Sequence, residues 1–150
     1  MRRKDKEITS QQEIETIIRR STVCRLAMID GNEPYIVPLN FGYANNHLYF
    51  HSAREGRKID ILHRNNRVCF EFDIDHQAVA GAKACKWGFR FQSVIGTGKA
   101  FFIDEPGAKK KALDVIMHQY TDKTFAYDER VVNQTVVFHV AIETLTGKRS

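Results

Sequence analysis

At 150 residues, 43% of them hydrophobic and 27% charged, the chain has an ordinary globular balance and the length of one domain, 1–150, with a real core. No apolar run approaches the ~20 residues that cross a bilayer, and the opening MRRKDKEI lacks the apolar stretch of a signal peptide, so a soluble cytoplasmic protein without a membrane partner is expected. The net charge of +5 raises nucleic acid as a partner, but the basic residues are scattered and the clusters at 2–4 and 109–111 stand apart from the aromatics, so nucleic acid is not expected.

In chain order, Ser10 and Glu13 have capping-box spacing, and Ile14, Ile17 and Ile18 share one face of a helix over 10–20. VCRLAMI (23–29) reads as a strand, and DGNE turns it into a second, PYIVPLNF (34–41). Asn45-Asn46 is a tight-turn signal before HLYFH. The period then changes: Ile59 and Leu62 lie three apart, and Asn65-Asn66 stops a helix over 55–64. RVCFEFDI (67–74) returns to strand, a loop covers 77–86, and 87–103 is a long strand bent at Gly96 and Gly98. Asp104 and Pro106 open a helix with a stripe of Leu113, Ile116, Met117 and Tyr120. QTVVFHVAIE (134–143) alternates as a last strand. Six strands with short helices at the corners predict a mainly β fold, a small six-stranded antiparallel barrel with flanking helices, whose closure removes exposed edges.

Three cysteines without a CxxC pair exclude a disulfide framework and a zinc knuckle. Cys24 and Cys69 sit in apolar runs and read as buried thiols. Arg25, inside an apolar strand, needs a partner if buried, and Glu71 is one candidate. The histidines show no metal-ligand spacing, GTG at 96–98 precedes no helix, and no nucleophile elbow occurs. No metal is expected.

The stretch YFHSAREGRKIDILHRNN carries the chemistry. A strand ends in His51 and Ser52, and Arg57 and Lys58 fall in the first turn of the next helix. Cations there oppose the helix dipole by about 0.3–1 kcal/mol each. A hydroxyl, a guanidinium, an ammonium and free backbone N–H groups would together suit a phosphate. On residue types alone, a solvated turn with Glu55 balancing an arginine fits equally well.

This stretch resembles the flavin-phosphate segment of the pyridoxamine-phosphate-oxidase-like split barrels, in which Ser or Thr ends a strand and an Arg-Lys pair follows five and six residues later. VPLNF resembles the strand along the isoalloxazine ring, and FQSVIG resembles that superfamily's Gln-Ser motif. VCRLAMIDGNEPYIVPLNFGY, LYFHSAREGRKIDIL and WGFRFQSVIGTG are similar to the nitroimidazole-resistance branch, and the likeness runs from about residue 2 to 149.

The resemblance implies FMN as cofactor. Ser52, Arg57 and Lys58 would hold its phosphate, Val37, Pro38, Leu39 and Asn40 would line the pyrimidine side, and Gln92 and Ser93 would reach the ring across a homodimer interface. His51 matches the histidine on which the branch's active site is thought to depend, as proton donor or substrate orienter, or else it packs on the ring edge. Trp87 is read as an interface residue. The implied activity is reduction of small electrophiles, 5-nitroimidazoles among them, with electrons from a reduced donor. A flavin carrier or sensor without turnover, and a barrel using haem or deazaflavin, remain open. The vitamin B6 oxidase itself fits less well, because its C-terminal tryptophan and arginine have no counterpart: the sole tryptophan is Trp87 and the chain ends GKRS.

Overall fold

A computed structural model describes residues 3–150; residue 2 of the first basic cluster lies outside them. Strands β1 (Glu7–Ile8), β2 (Cys24–Asp30), β3 (Glu33–Leu39), β4 (Gly42–Ala44), β5 (His47–Ser52), β6 (Arg67–Val79), β7 (Gly88–Ile103) and β8 (Val136–Arg149) form one antiparallel sheet. Its order is β3-β2-β6-β7-β8-β5-β4, with β1 pairing β8. The helices are α1 (Gln11–Arg20), α2 (Arg57–Arg64), α3 (Pro106–His118) and α4 (Glu129–Gln134). The fold is mainly β, as expected, with eight strands in place of six.

The two additional strands have local causes. The run expected as one strand over 34–41 breaks after Leu39, where Phe41 turns inward and gives its N–H to the Tyr120 hydroxyl at 3.0 Å. β4 then forms the hairpin with β5 through Asn45 and Asn46, at φ 50° and 60°, the left-handed pair a tight hairpin requires. β1 is only two residues long, held by the end of β8.

β6 and β7 pair three residues past the expected loop boundary, out to Val79↔Gly88, after an irregularity at Ile74/Gln77 where Asp75 adopts φ 58°. β8 runs to Arg149 rather than stopping at 143, because β7 pairs with it throughout. The Thr97 and Thr144 hydroxyls share a hydrogen bond of 2.7 Å in that extension.

Alternation fills the barrel. Leu26, Met28, Phe50, Phe70, Phe72 and Phe138 are almost fully buried, and the Phe50 and Phe138 rings stack at 5.1 Å. Each such side chain contributes about 1.5–3 kcal/mol on burial. The same alternation corrects one expectation: Val68 and Phe70 point inward, so Cys69 between them is exposed while Cys24 is buried. Gly96 lies where a Cβ would strike the Phe70 ring and the Thr144 carbonyl, so β7 and β8 approach closely at the predicted bend.

Caps set the helices. Ser10 accepts from the Glu13 N–H at 3.3 Å. At α3 the cap is Glu105 rather than Asp104; its carboxylate accepts from the Gly107 and Ala108 N–H groups. The buried face of α3 is Ala112 and Ile116, while Tyr120 lies past its end and donates to the Thr22 carbonyl at 2.9 Å. No helix among the described residues is long and apolar enough to cross a membrane.

Candidate functional site

β5 delivers His51 and Ser52 to the end of the barrel, where Ser52 pairs with Val136 at the start of β8. The chain turns through residues 53–56 and enters α2 at Arg57, two residues later than the pattern predicts. Gly56 caps the helix at φ 135°, a conformation open to glycine, and no side chain caps α2. A Cβ built there would meet nothing within 4 Å, so the head of the helix is open space with free N–H groups.

The two cations at this head differ. The Arg57 Nε donates to Asp30 Oδ2 at 2.9 Å and its Nη2 to Glu33 Oε2 at 3.2 Å, while the guanidinium lies 4.6 Å from the Tyr35 ring centre. The β2–β3 turn therefore already balances its charge, and Arg64 shares Asp30 at 2.7 Å. Lys58 has no salt-bridge partner among the described residues, is half-buried, and is held below the ordinary lysine range by burial. A half-buried ammonium without a counter-charge is unfavourable until an anion arrives.

His51 lies within the influence of that ammonium. Burial first, and the Lys58 charge second, push its imidazole below the ordinary range. Its Nδ1 is buried without a hydrogen-bond partner among the described residues, a state that costs about 1–3 kcal/mol. The neutral ring is therefore the resident form near neutrality. Arg54 is not free to join: its Nη2 donates to the Asn133 carbonyl at 2.6 Å, tying the turn to α4.

Val37 and Leu39 pack on the core, whereas Pro38 and Asn40 are exposed. β3 pairs only with β2, so its other side is a sheet edge. Pro34 and Pro38, which have no N–H to give, sit on that edge strand.

Gln92 and Ser93 are not brought to this corner within the chain. Ser93 pairs with Lys148, and Ser52 with Val136, at opposite ends of β8. Twelve residues at about 3.3 Å each separate the two along that strand, roughly 40 Å. Gln92 instead donates to Asp75 at 2.8 Å, which is also gripped by Arg20 at 2.7 Å. Arg25 finds Glu71 at 3.1 Å, as anticipated, and Asp73 at 2.5 Å as well. Trp87 is exposed. The sequence reading missed Asp30, Glu33 and Tyr35, the groups that engage Arg57; the two carboxylates flank the DGNE turn, and only the fold shows that α2 starts beside it.

The family model described as pyridoxamine 5'-phosphate oxidase matches residues 10–149. The chain belongs to that family. Flavin binding is the family's common property, and the fold is its split barrel. A candidate 5-nitroimidazole antibiotic resistance protein from Bacteroides thetaiotaomicron is 40% identical over 95% of this chain and 86% of its own, with a TM-score of 0.87. An FAD-binding protein from Mesorhizobium loti is 26% identical, with 94% and 95% of the two chains covered and a TM-score of 0.68. The flavocytochrome Anf3 from Azotobacter vinelandii, at 17% identity, shares the fold over all of this chain and 72% of its own, with a TM-score of 0.86. The curated relative RA0666 from Rhizobium meliloti, an uncharacterized protein, is 31% identical over 64 residues, so the match spans 42% of that relative's length and 43% of this chain.

The open head of α2 presents free N–H groups and a Lys58 without a salt-bridge partner among the described residues, a set that can take an anion.

Proposed function

We propose that the protein is an FMN-dependent oxidoreductase acting on small electrophiles of the 5-nitroimidazole type. The observation that carries the reading is Lys58: a half-buried ammonium with no salt-bridge partner among the described residues, at an open helix head beside Ser52. Ser52, Lys58 and the first N–H groups of α2 would hold the phosphate, with Arg57 as a more distant positive charge. The exposed edge of β3 from Val37 to Asn40 would offer its backbone to the ring. FMN, when bound, supplies the electron-transfer chemistry; a reduced nicotinamide is the proposed donor. His51, neutral and half-buried, would orient substrate or move a proton at its unpartnered Nδ1. The nitroimidazole class rests on the 40% identity to the Bacteroides protein.

A homodimer belongs to the same proposal. Ile36, Ala27, Cys69 and Thr97 are register neighbours across β3, β2, β6 and β7; Ile36 in that row and Ile29 and Ile95 beside it are exposed. An apolar row of this kind fits a subunit interface, and a partner would bring Gln92 and Ser93 where the chain itself does not.

FMN and riboflavin titrations of wild type and Lys58→Ala, followed by flavin fluorescence, test the reading. FMN is expected to weaken in the variant while riboflavin, which lacks the phosphate, does not change; wild type that binds neither flavin overturns the proposal. Anaerobic reoxidation of the bound reduced flavin by a nitroimidazole separates an enzyme from a carrier. FAD is a second reading, favoured by the 26% identical FAD-binding relative; the mass of the copurified flavin decides between them.

A further inference from the structure

A second concave region lies on the outer face of β5 and β8 where α3 crosses it, beginning two residues along β5 from His51. It encloses about 320 Å³, with Ile103 and Val115 on its apolar side and His47, Tyr49, His139 and Lys111 on the other. Strand register brings these residues together. Tyr49 pairs with His139, which pairs with Phe101 on its far side. His47, two residues before Tyr49, shares its face. The His47 and His139 rings lie 5.0 Å apart and the Phe101 and His139 rings 5.6 Å apart.

The polar groups here are incompletely satisfied. His47 Nδ1 lies 2.7 Å from the Asn45 carbonyl; a carbonyl only accepts, so that nitrogen carries a proton and Nε2 is the one left over. His139 Nδ1 is buried and has no partner among the described residues. Lys111 makes no salt bridge among them either. Glu105 senses its charge, but that carboxylate is engaged by the Gly107 and Ala108 N–H groups. An orphaned ring nitrogen and a second imidazole beside an apolar wall are costly as a structural arrangement. Lys111 adds an exposed ammonium at the rim, and a small pocket with a few convergent polar groups is the usual form of a ligand site.

We propose that this cavity binds a small monocyclic aromatic carboxylate, its carboxylate taken by Lys111 and the His47–His139 pair and its ring lying against Ile103 and Val115. The site is independent of the flavin assignment. Binding is linked to a proton. The titratable groups around His139 are Tyr49, paired with it on β5, with His47 and His51 on either side, and Lys111 from α3. On β7, Lys99 flanks Phe101 and pairs with Glu143 at 3.7 Å. Burial and then His47 hold His139 below its ordinary range. A bound carboxylate favours the imidazolium and takes up a proton, so affinity rises as pH falls.

Calorimetric titration of the full chain with benzoate, with benzamide as the neutral isostere and inorganic phosphate as an anion without a ring, tests this. Benzoate is expected to bind more tightly than either, and to weaken by up to about tenfold per pH unit in the window where His139 titrates. Lys111→Met is expected to cut benzoate affinity by about two- to fivefold, in keeping with an exposed ammonium. His139→Phe, or His139→Gln should the first fail to fold, is expected to flatten the pH dependence of benzoate binding. The proposal is overturned if benzamide matches benzoate, if wild type binds no benzoate, or if excess FMN displaces it, which would make the cavity part of the flavin site.

Discussion

Arg57 reaches back to Asp30 through an ion pair of 2.9 Å, so the first of the two cations at the head of α2 is already engaged when the second, Lys58, is not. The pair is therefore unequal in binding an anion. Lys58→Ala is expected to lower FMN affinity by about 10- to 100-fold, the range for a lost hydrogen bond to a charged group. Arg57→Ala should cost less than about fivefold, in keeping with an exposed charge. Flavin fluorescence titration reads both, and equal losses would reverse this ranking.

Asp30→Asn follows from the same geometry. Removing the carboxylate leaves Arg57 with Glu33 at 3.2 Å, a largely exposed partner, and frees the guanidinium to turn toward the helix head. FMN affinity is expected to rise about two- to fivefold at low ionic strength, with the gain fading as salt screens it. A loss of affinity would mean that Asp30 positions Arg57 for the phosphate rather than withholding it.

Acid should weaken the unliganded fold. His51 and His139 are both held below the ordinary imidazole range, each by burial before any neighbouring charge, while in the unfolded chain both titrate near about 6.5. Between the folded and unfolded values the unfolded chain binds more protons, so stability rises with pH there and falls on acidification below about 6.5. Urea midpoints taken from neutrality down to just above the carboxylate range should decline, and His51→Gln should remove part of the slope. A midpoint that rises on acidification contradicts burial of the neutral rings.

What the sequence made legible was local. The strand ending in His51-Ser52, a short helix with Arg57 and Lys58 in its first turn and the left-handed Asn45-Asn46 turn are written in adjacent residues. The structure has all three, the helix starting two residues later than its pattern. Long-range electrostatics were not legible: Asp30 is 27 residues from Arg57, and nothing in either segment specifies the pairing. The tail ETLTGKR offers too few apolar residues to declare a strand, and its faces come from β7 alongside. Cys69 looked buried in an apolar run, yet its two neighbours claim the core side of the sheet. α4 is six residues long, less than two helical turns, so no period could reveal it beyond the Asp128 cap.

Gly96→Ala probes the closest approach in the barrel. The added methyl would meet the Phe70 ring and the Thr144 carbonyl, and backbone on one side cannot yield as a flexible side chain would. Overpacking of this kind costs about 1–3 kcal/mol. A lowered urea midpoint with an unchanged slope is the expected result; an unaltered midpoint would mean that β7 and β8 separate easily.

The remoteness of Ser93 from Ser52 along β8 makes the proposed dimer testable without a structure of it. If Gln92 of one subunit completes the flavin site of the other, Lys58→Ala and Gln92→Ala homodimers each have two damaged sites. A mixed dimer then has one site carrying both lesions and one carrying neither. Random refolding of an equal mixture gives half mixed dimers, half of whose sites are intact, so about a quarter of all sites should regain wild-type affinity. A biphasic FMN titration with a tight phase of that size is expected. A mixture that titrates as the sum of its parents would place Gln92 outside the partner's site and leave the flavin to a single chain.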